Sequence, residues 1–128
     1  MSGYLQPSPQ QMAEIMKLPK DKPVVMINLL KFKALTEDGK TSGFERYIEY
    51  SKAVMPFLMA AGAEIVYMGE AHPTIIGSEE EHWHHVALVK YPNIDKFLNM
   101  IQAHEYPHEL RSSALEDSRL IPSMNDRV

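Results

Sequence analysis

Cysteine is absent from the 128 residues. That excludes a disulfide framework, a thiolate nucleophile and a thiolate metal site, and it permits a reducing compartment. Basic runs are absent as well. The formal charge is −4 with His counted as neutral, so the chain lacks the electrostatic footprint that nucleic-acid binding needs. The first residues, MSGYLQPSPQQ, have neither the positive n-region nor the apolar h-region of a secretory signal. No apolar stretch reaches the roughly 18 residues of a membrane span. No glycine-rich phosphate loop, internal repeat or low-complexity tract is visible. The expectation is a soluble cytoplasmic protein without nucleotide, metal or other cofactor, and with neither nucleic acid nor membrane as partner.

What is present fits one domain. A chain of this length buries roughly two-thirds of the surface its unfolded form exposes, enough for one core without staples. Ser8-Pro9-Gln10-Gln11 reads as a helix start, with Ser8 as cap, Pro9 at the first helical position and Gln11 completing a capping box. Met12, Ile15 and Met16 follow at helical spacing, and Pro19 ends the helix. This N-terminal helical extension is assigned residues 1–22, and the main domain residues 23–128. Val24 to Phe32, VVMINLLKF, reads as a strand apolar on both sides, with Asn28 the one polar member of the even-numbered set. Ser42 and Glu45 form a second capping box, and Gly62 is a C-cap. The face of this helix is expected at Phe44, Tyr47, Ile48, Ser51, Met55 and Leu58, with a kink or break at Pro56. Strands are predicted at Ala63 to Ala71 and at His82 to Tyr91, with Thr74 to Ile76 as a continuation of the first. A third helix follows Pro92-Asn93, a helical stretch runs from Pro107 to Leu115, and a short last strand covers Leu120 to Pro122.

After the leading helix the order is β-α-β-β-α-(α)-β, the split βαβ order of an α+β ferredoxin-like antiparallel sheet. Its helices cover one face. The two-sided apolar strand says that the other face needs a cover too. Four strands of about 20 Å at a spacing of about 4.8 Å make a face of order 400 Å², at the limit that a soluble monomer leaves open. A second copy packed sheet to sheet is the economical cover, and the chain is expected to be a homodimer forming a dimeric α/β barrel. The monomeric alternative lays the first helix and the long loop over that face.

The run VVMINLLKFK, the helix ending FLMAAGA, the stretch WHHVALVKYP, then FLNMIQAHEY and a late Arg111 before DSRL, taken in that order, resemble domain-of-unknown-function family 1330 over roughly Pro23 to Pro122. The resemblance implies a dimeric α/β barrel and no agreed activity. The wider superfamily includes cofactor-free monooxygenases, isomerases, decarboxylases, haem enzymes and proteins without known chemistry. Family members often carry an acidic residue after the strand Trp; His84 stands there in this chain.

The candidate chemistry is sparse. His104-Glu105-Tyr106-Pro107-His108 spells the H-E-x-x-H pattern of zinc hydrolases, which needs both imidazoles on one helical face. Pro107 disfavours helix at Tyr106, so coincidence is the preferred reading. His82 and His84 share one face of the expected strand, and Trp83 and His85 the other. The first pair reads as solvated or hydrogen-bonded rather than metal-binding. Asn28 has two open readings: a hydrogen bond to a neighbouring helix or to its symmetry mate, or an amide aimed into the barrel cavity to orient a carbonyl or hydroxyl. Lys31, Trp83 and Arg111 are further ligand-binding candidates, Trp83 as a stacking surface and Arg111 as a bidentate carboxylate holder. His85 is the candidate general base near neutral pH. The function expected is binding of a small, mostly apolar molecule in the barrel, with cofactor-independent acid–base or oxidative chemistry as its enzymatic form. The rival expectation is a non-catalytic dimeric binding or accessory module whose barrel is filled by side chains.

Overall fold

The computed structural model describes residues 3–125. Its first helix, α1 (Pro9–Ile15), is opened by the Ser8–Gln11 capping box with Pro9 at the first position. Met12, Ile15 and Leu18 lean on the core, while Met16 turns to solvent. Strand β1 (Val24–Phe32) has the predicted limits. Helix α2 (Gly43–Ala61) is capped by Ser42 and Glu45 and ended by Gly62 in the left-handed region, φ 71°. Strands β2 (Glu64–Glu70) and β3 (His85–Tyr91), helices α3 (Ile94–Ile101) and α4 (His108–Ala114), and strand β4 (Leu115–Ser123) complete the chain.

The four strands form one antiparallel sheet in the order β2-β3-β1-β4. β1 is therefore interior, paired on both sides. Its even-numbered residues Val24, Met26 and Leu30 are fully buried, and Val24 and Met26 join Val89 and Tyr91 of β3 under Tyr50, Val54, Ile94 and Phe97 of the helices. The register places Val24 opposite Tyr91 and Met26 opposite Val89, so these pairs share one face. The odd-numbered residues Val25, Ile27 and Leu29, with Val86 and Leu88 of β3, lie on the other face and are only half-buried. Tyr67 and Ile121 extend that apolar surface across β2 and β4, and both are exposed.

Several expectations need correction. The buried face of α2 is Tyr47, Tyr50, Val54, Phe57, Leu58 and Ala61. Phe44, Ile48 and Met55 are 51%, 40% and 42% exposed. Tyr47 and Leu58 lie on the face as expected, but the rest of the stripe is shifted, because the true face uses small Gly43 and Ala61 at its ends. A Cβ on Gly43 would meet the backbone of both Lys33 and Ala114. Gly43 N–H donates to the Lys33 carbonyl at 2.8 Å, and Lys33 N–H donates to that of Ala114 at 3.0 Å, tying α2, β1 and α4 together. α2 also runs unbroken through Pro56. Pro56 takes the hydrogen-bond partner from the Lys52 carbonyl, and both residues are exposed. β4 is nine residues long and begins at Leu115, five residues earlier than expected. Thr74 to Ile76 does not continue β2. It lies in the β2–β3 loop, with Ile75 and Ile76 92% and 93% exposed.

A polar pair sits inside this apolar layer. The hydroxyls of Tyr50 on α2 and Tyr106, ahead of α4, are hydrogen-bonded to each other, and both residues are buried. Burial pushes both phenols well above the ordinary range. Replacing Tyr50 by Phe strands the Tyr106 hydroxyl in the core, an expected cost of about 1–3 kcal/mol. The double substitution Tyr50→Phe, Tyr106→Phe removes both partners and is expected to cost less than the sum of the singles. Urea unfolding of the three variants measures this, and additive losses count against a coupled pair.

Candidate functional site

Where β1 ends, the sheet and α2 diverge, and a cleft of about 540 Å³ opens between them. Phe32 from the last position of β1 and Phe44 from the first turn of α2 form its aromatic wall, with ring centroids 5.5 Å apart and planes at 67°. Glu70 and Ala71 follow from the end of β2, His85 opens β3, and His82 and His84 come from the loop between them. Phe32 is braced from behind by Tyr47, whose ring centroid is 5.4 Å away.

His84 is held on three sides. Its backbone N–H donates to the Leu30 carbonyl at 2.8 Å, and its carbonyl accepts from Ala71 N–H at 3.0 Å. Its ring nitrogen Nδ1 accepts from the backbone N–H of Phe32 at 3.0 Å. The backbone of His84 thus joins β1 to β2 just beyond the last regular rung, and its side chain satisfies the terminal donor of β1. The ring lies 5.8 Å from that of Phe32 and 5.7 Å from that of His82. Burial lowers the affinity of His84 for a proton, and the neighbouring His82 and Lys31 lower it further, against Glu116. Burial does the same at His85, with Glu70 opposing. Both imidazoles are therefore neutral at pH 7. Because His84 Nδ1 accepts, its hydrogen is assigned to Nε2.

The remaining candidates lie elsewhere. Asn28 belongs to the helix-facing side of β1, and its amide nitrogen donates to the carbonyls of Met26 and Ala87, each at 3.3 Å. The partners are carbonyls of the sheet itself, and not the neighbouring helix or the symmetry mate expected. Trp83 does not share a face with His85. Strand pairing of β3 starts at His85, so the two-residue alternation does not reach back to Trp83. The indole instead stacks on the guanidinium of Arg119, 4.9 Å from its ring centre, with Tyr4 at 4.9 Å. Arg119 in turn holds Asp117 at 2.7 Å, and Asp117 accepts from Tyr4 N–H at 2.8 Å. Lys31 is paired with Glu116 at 3.3 Å. Arg111 directs its charge at the phenols of Tyr47, Tyr50, Tyr91 and Tyr106, drawing each acidity back against the effect of burial.

The H-E-x-x-H segment is not helical. His104 lies in the turn after α3, whereas His108 opens α4 and bonds the Ile101 carbonyl through Nε2 at 2.7 Å. Among the described residues no three His, Asp or Glu side chains form a metal-ligand set. Of the sequence candidates, the cleft gathers His85 and the two histidines first weighed as a metal pair. Sequence reasoning missed Phe32, Phe44 and Glu70 as lining residues. The available signal was an aromatic residue at the end of a strand and another at the start of the following helix.

Two solved structures resemble the chain over its whole length. A crystal structure of the methylated RPA0582 protein superimposes with a TM-score of 0.90 at 30% identity, covering 99% of this chain and 98% of that one. A second, of RPA0582 from Rhodopseudomonas palustris and described as a protein of unknown function, gives 0.89 at 29% identity, covering 99% and 100%. The chain belongs to the RPA0582 family. No family model matches the chain, and no curated protein matches it. Membership carries the α+β architecture with its four-stranded antiparallel sheet, and it assigns no chemistry to the cleft.

The His84 contact has a pH signature. The unfolded imidazole binds a proton near its ordinary pKa of 6.5, and the folded one does so only at lower pH. Between those values the unfolded state holds more protons, so stability falls as pH drops through 6.5 and levels off below the folded pKa. His84→Asn removes this titration. Its melting temperature is expected to fall less on acidification than that of the native protein. Parallel slopes for the two proteins count against the lowered His84 pKa.

Proposed function

We propose that two copies of this chain pair through the uncovered sheet face, completing a ferredoxin-like dimeric α/β barrel. In each copy the cleft beside β1 holds a small, mostly apolar, aromatic molecule. The observation that carries the ligand reading is the cleft itself: about 540 Å³ walled by two edge-to-face phenylalanines and floored by neutral imidazoles. Small-molecule sites combine apolar walls with a few placed polar groups in this way. The volume lies between helix and sheet, on the side away from the face assigned to the partner. Pairing therefore leaves the cleft open. His85, neutral at pH 7 with Glu70 beside it, is suited to accept a proton there.

The dimer reading is supported by Val25, Ile27, Leu29, Val86 and Leu88, an apolar row that no helix buries, and by the strand order, which matches the split βαβ arrangement. It agrees with the resemblance to domain-of-unknown-function family 1330.

Leu88→Lys places a charge in the middle of that row. Sedimentation velocity is expected to give a dimer for the native chain and a monomer for the variant; a native monomer overturns the pairing. Calorimetric titration with nitrobenzene tests the cleft. Phe44→Lys, at an exposed position, is expected to weaken binding about tenfold or more, the scale of an aromatic contact and its buried area. Equal binding by the variant overturns the ligand reading.

A further inference from the structure

The histidines of the cleft differ in what they can offer a ligand. Phe32 N–H occupies Nδ1 of His84 at 3.0 Å, so this ring presents Nε2–H, and among the described residues Nε2 makes no hydrogen bond. His84 is thus a fixed donor; to become an acceptor it would have to release the end of β1. His85 sits next to it, opposite Glu70 in the β2–β3 register, and no hydrogen bond engages its ring among the described residues. Among the described residues no lysine or arginine lines the cleft. A donor with no acceptor and a base with no acid stand side by side against an aromatic wall. A purely apolar ligand would leave both unpaired, which costs about 1–3 kcal/mol for each buried polar group. A carboxylate would meet Glu70 and no cation.

We propose that the cleft selects aromatic molecules carrying an acidic hydroxyl, a phenol, and binds them as the phenolate. This rests on the cleft being the ligand site. The phenolic O–H bond breaks and an N–H bond forms on His85. The electron pair stays on the oxygen, which then accepts from Nε2–H of His84. The imidazolium is balanced by the phenolate beside it and by the Glu70 carboxylate. Nothing is oxidised or reduced. The product is an electron-rich ring held in an apolar wall, the form in which a phenol reacts with electrophiles.

The test compares 4-nitrophenol with nitrobenzene, rings that differ by the hydroxyl. The pH is set about one unit below the free phenol's own pKa, so that absorbance reports ionisation. The native protein is expected to bind 4-nitrophenol about tenfold or more tighter than nitrobenzene, the scale of one hydrogen bond to a charged acceptor, and to raise the phenolate band on binding. His84→Asn keeps an acceptor for Phe32 N–H, and its remaining donor, Nδ2–H on a shorter side chain, falls short of the position of Nε2–H. It is expected to lose the preference for 4-nitrophenol over nitrobenzene, whatever its effect on the affinity for either ring alone. His85→Gln is expected to bind 4-nitrophenol without the phenolate band. Equal affinity of the native protein for both rings, or a phenolate band undiminished in both variants, overturns the proposal and leaves the cleft as an apolar site. No binding of either ring by the native protein overturns the ligand reading itself.

Discussion

Strand β1 is apolar on both sides, and the rest of the molecule is arranged around that fact. An interior strand must pair along both edges, and β1 takes β3 on one side and β4 on the other. One side of its alternation must be roofed, and α2, α3 and the tyrosine pair of Tyr50 and Tyr106 roof it. The opposite side is left as a row of half-buried Val, Ile and Leu. Where β1 ends, at Phe32, its last backbone donor must also be satisfied. His84 does that with its side chain, and by doing so it fixes the floor of the cleft.

The parts of the fold that could be read from the sequence are those set by local chemistry. The capping boxes at Ser8 and Ser42 satisfy orphan helix donors with side chains three residues apart, and neither needs the rest of the protein. Gly62 ends α2 because the left-handed region is open to it. β1 was legible because nine residues with so little polarity suit few other environments. The α2 face was legible only in part, at Tyr47 and Leu58. Phe44 and Ile48 are larger than Gly43 and Ala61, so apolar bulk pointed to the wrong stripe. The choice was made by the close approach of Lys33 and Ala114 to Gly43, a tertiary contact.

The site was legible in fragments. The histidine-rich entry to β3 was visible as a cluster, but its geometry was misjudged, because the alternation of a strand was applied to residues that precede its first rung. Trp83 went to the far side of the sheet and onto Arg119, and His84 turned towards the cleft. Asn28 stood out as the polar break in an apolar strand. The bonds from its amide to Met26 and Ala87 account for it within the sheet. The Phe32–Phe44 wall joins a strand end to a helix start across a ten-residue connection, and only the folded chain brings the two rings together.

The aromatic residues behind the cleft explain why it keeps its shape. Phe32 touches Tyr47, Tyr47 lies 5.2 Å from Tyr50, Tyr50 bonds Tyr106, and Tyr106 stacks at 4.6 Å on His108 at the start of α4. Each ring leans on the next, so a displacement of Phe32 must move the α2–α4 packing. A wall anchored in this way is already organised before a ligand arrives, and little ordering entropy remains to be lost on binding. The imidazoles share that property, since the backbone of His84 bridges two strands and its ring is tied to a third point. The cleft is thus built in part from side chains already engaged with the core and the sheet. Its selectivity must then come from the fixed pattern it presents: an aromatic wall, one donor and one base.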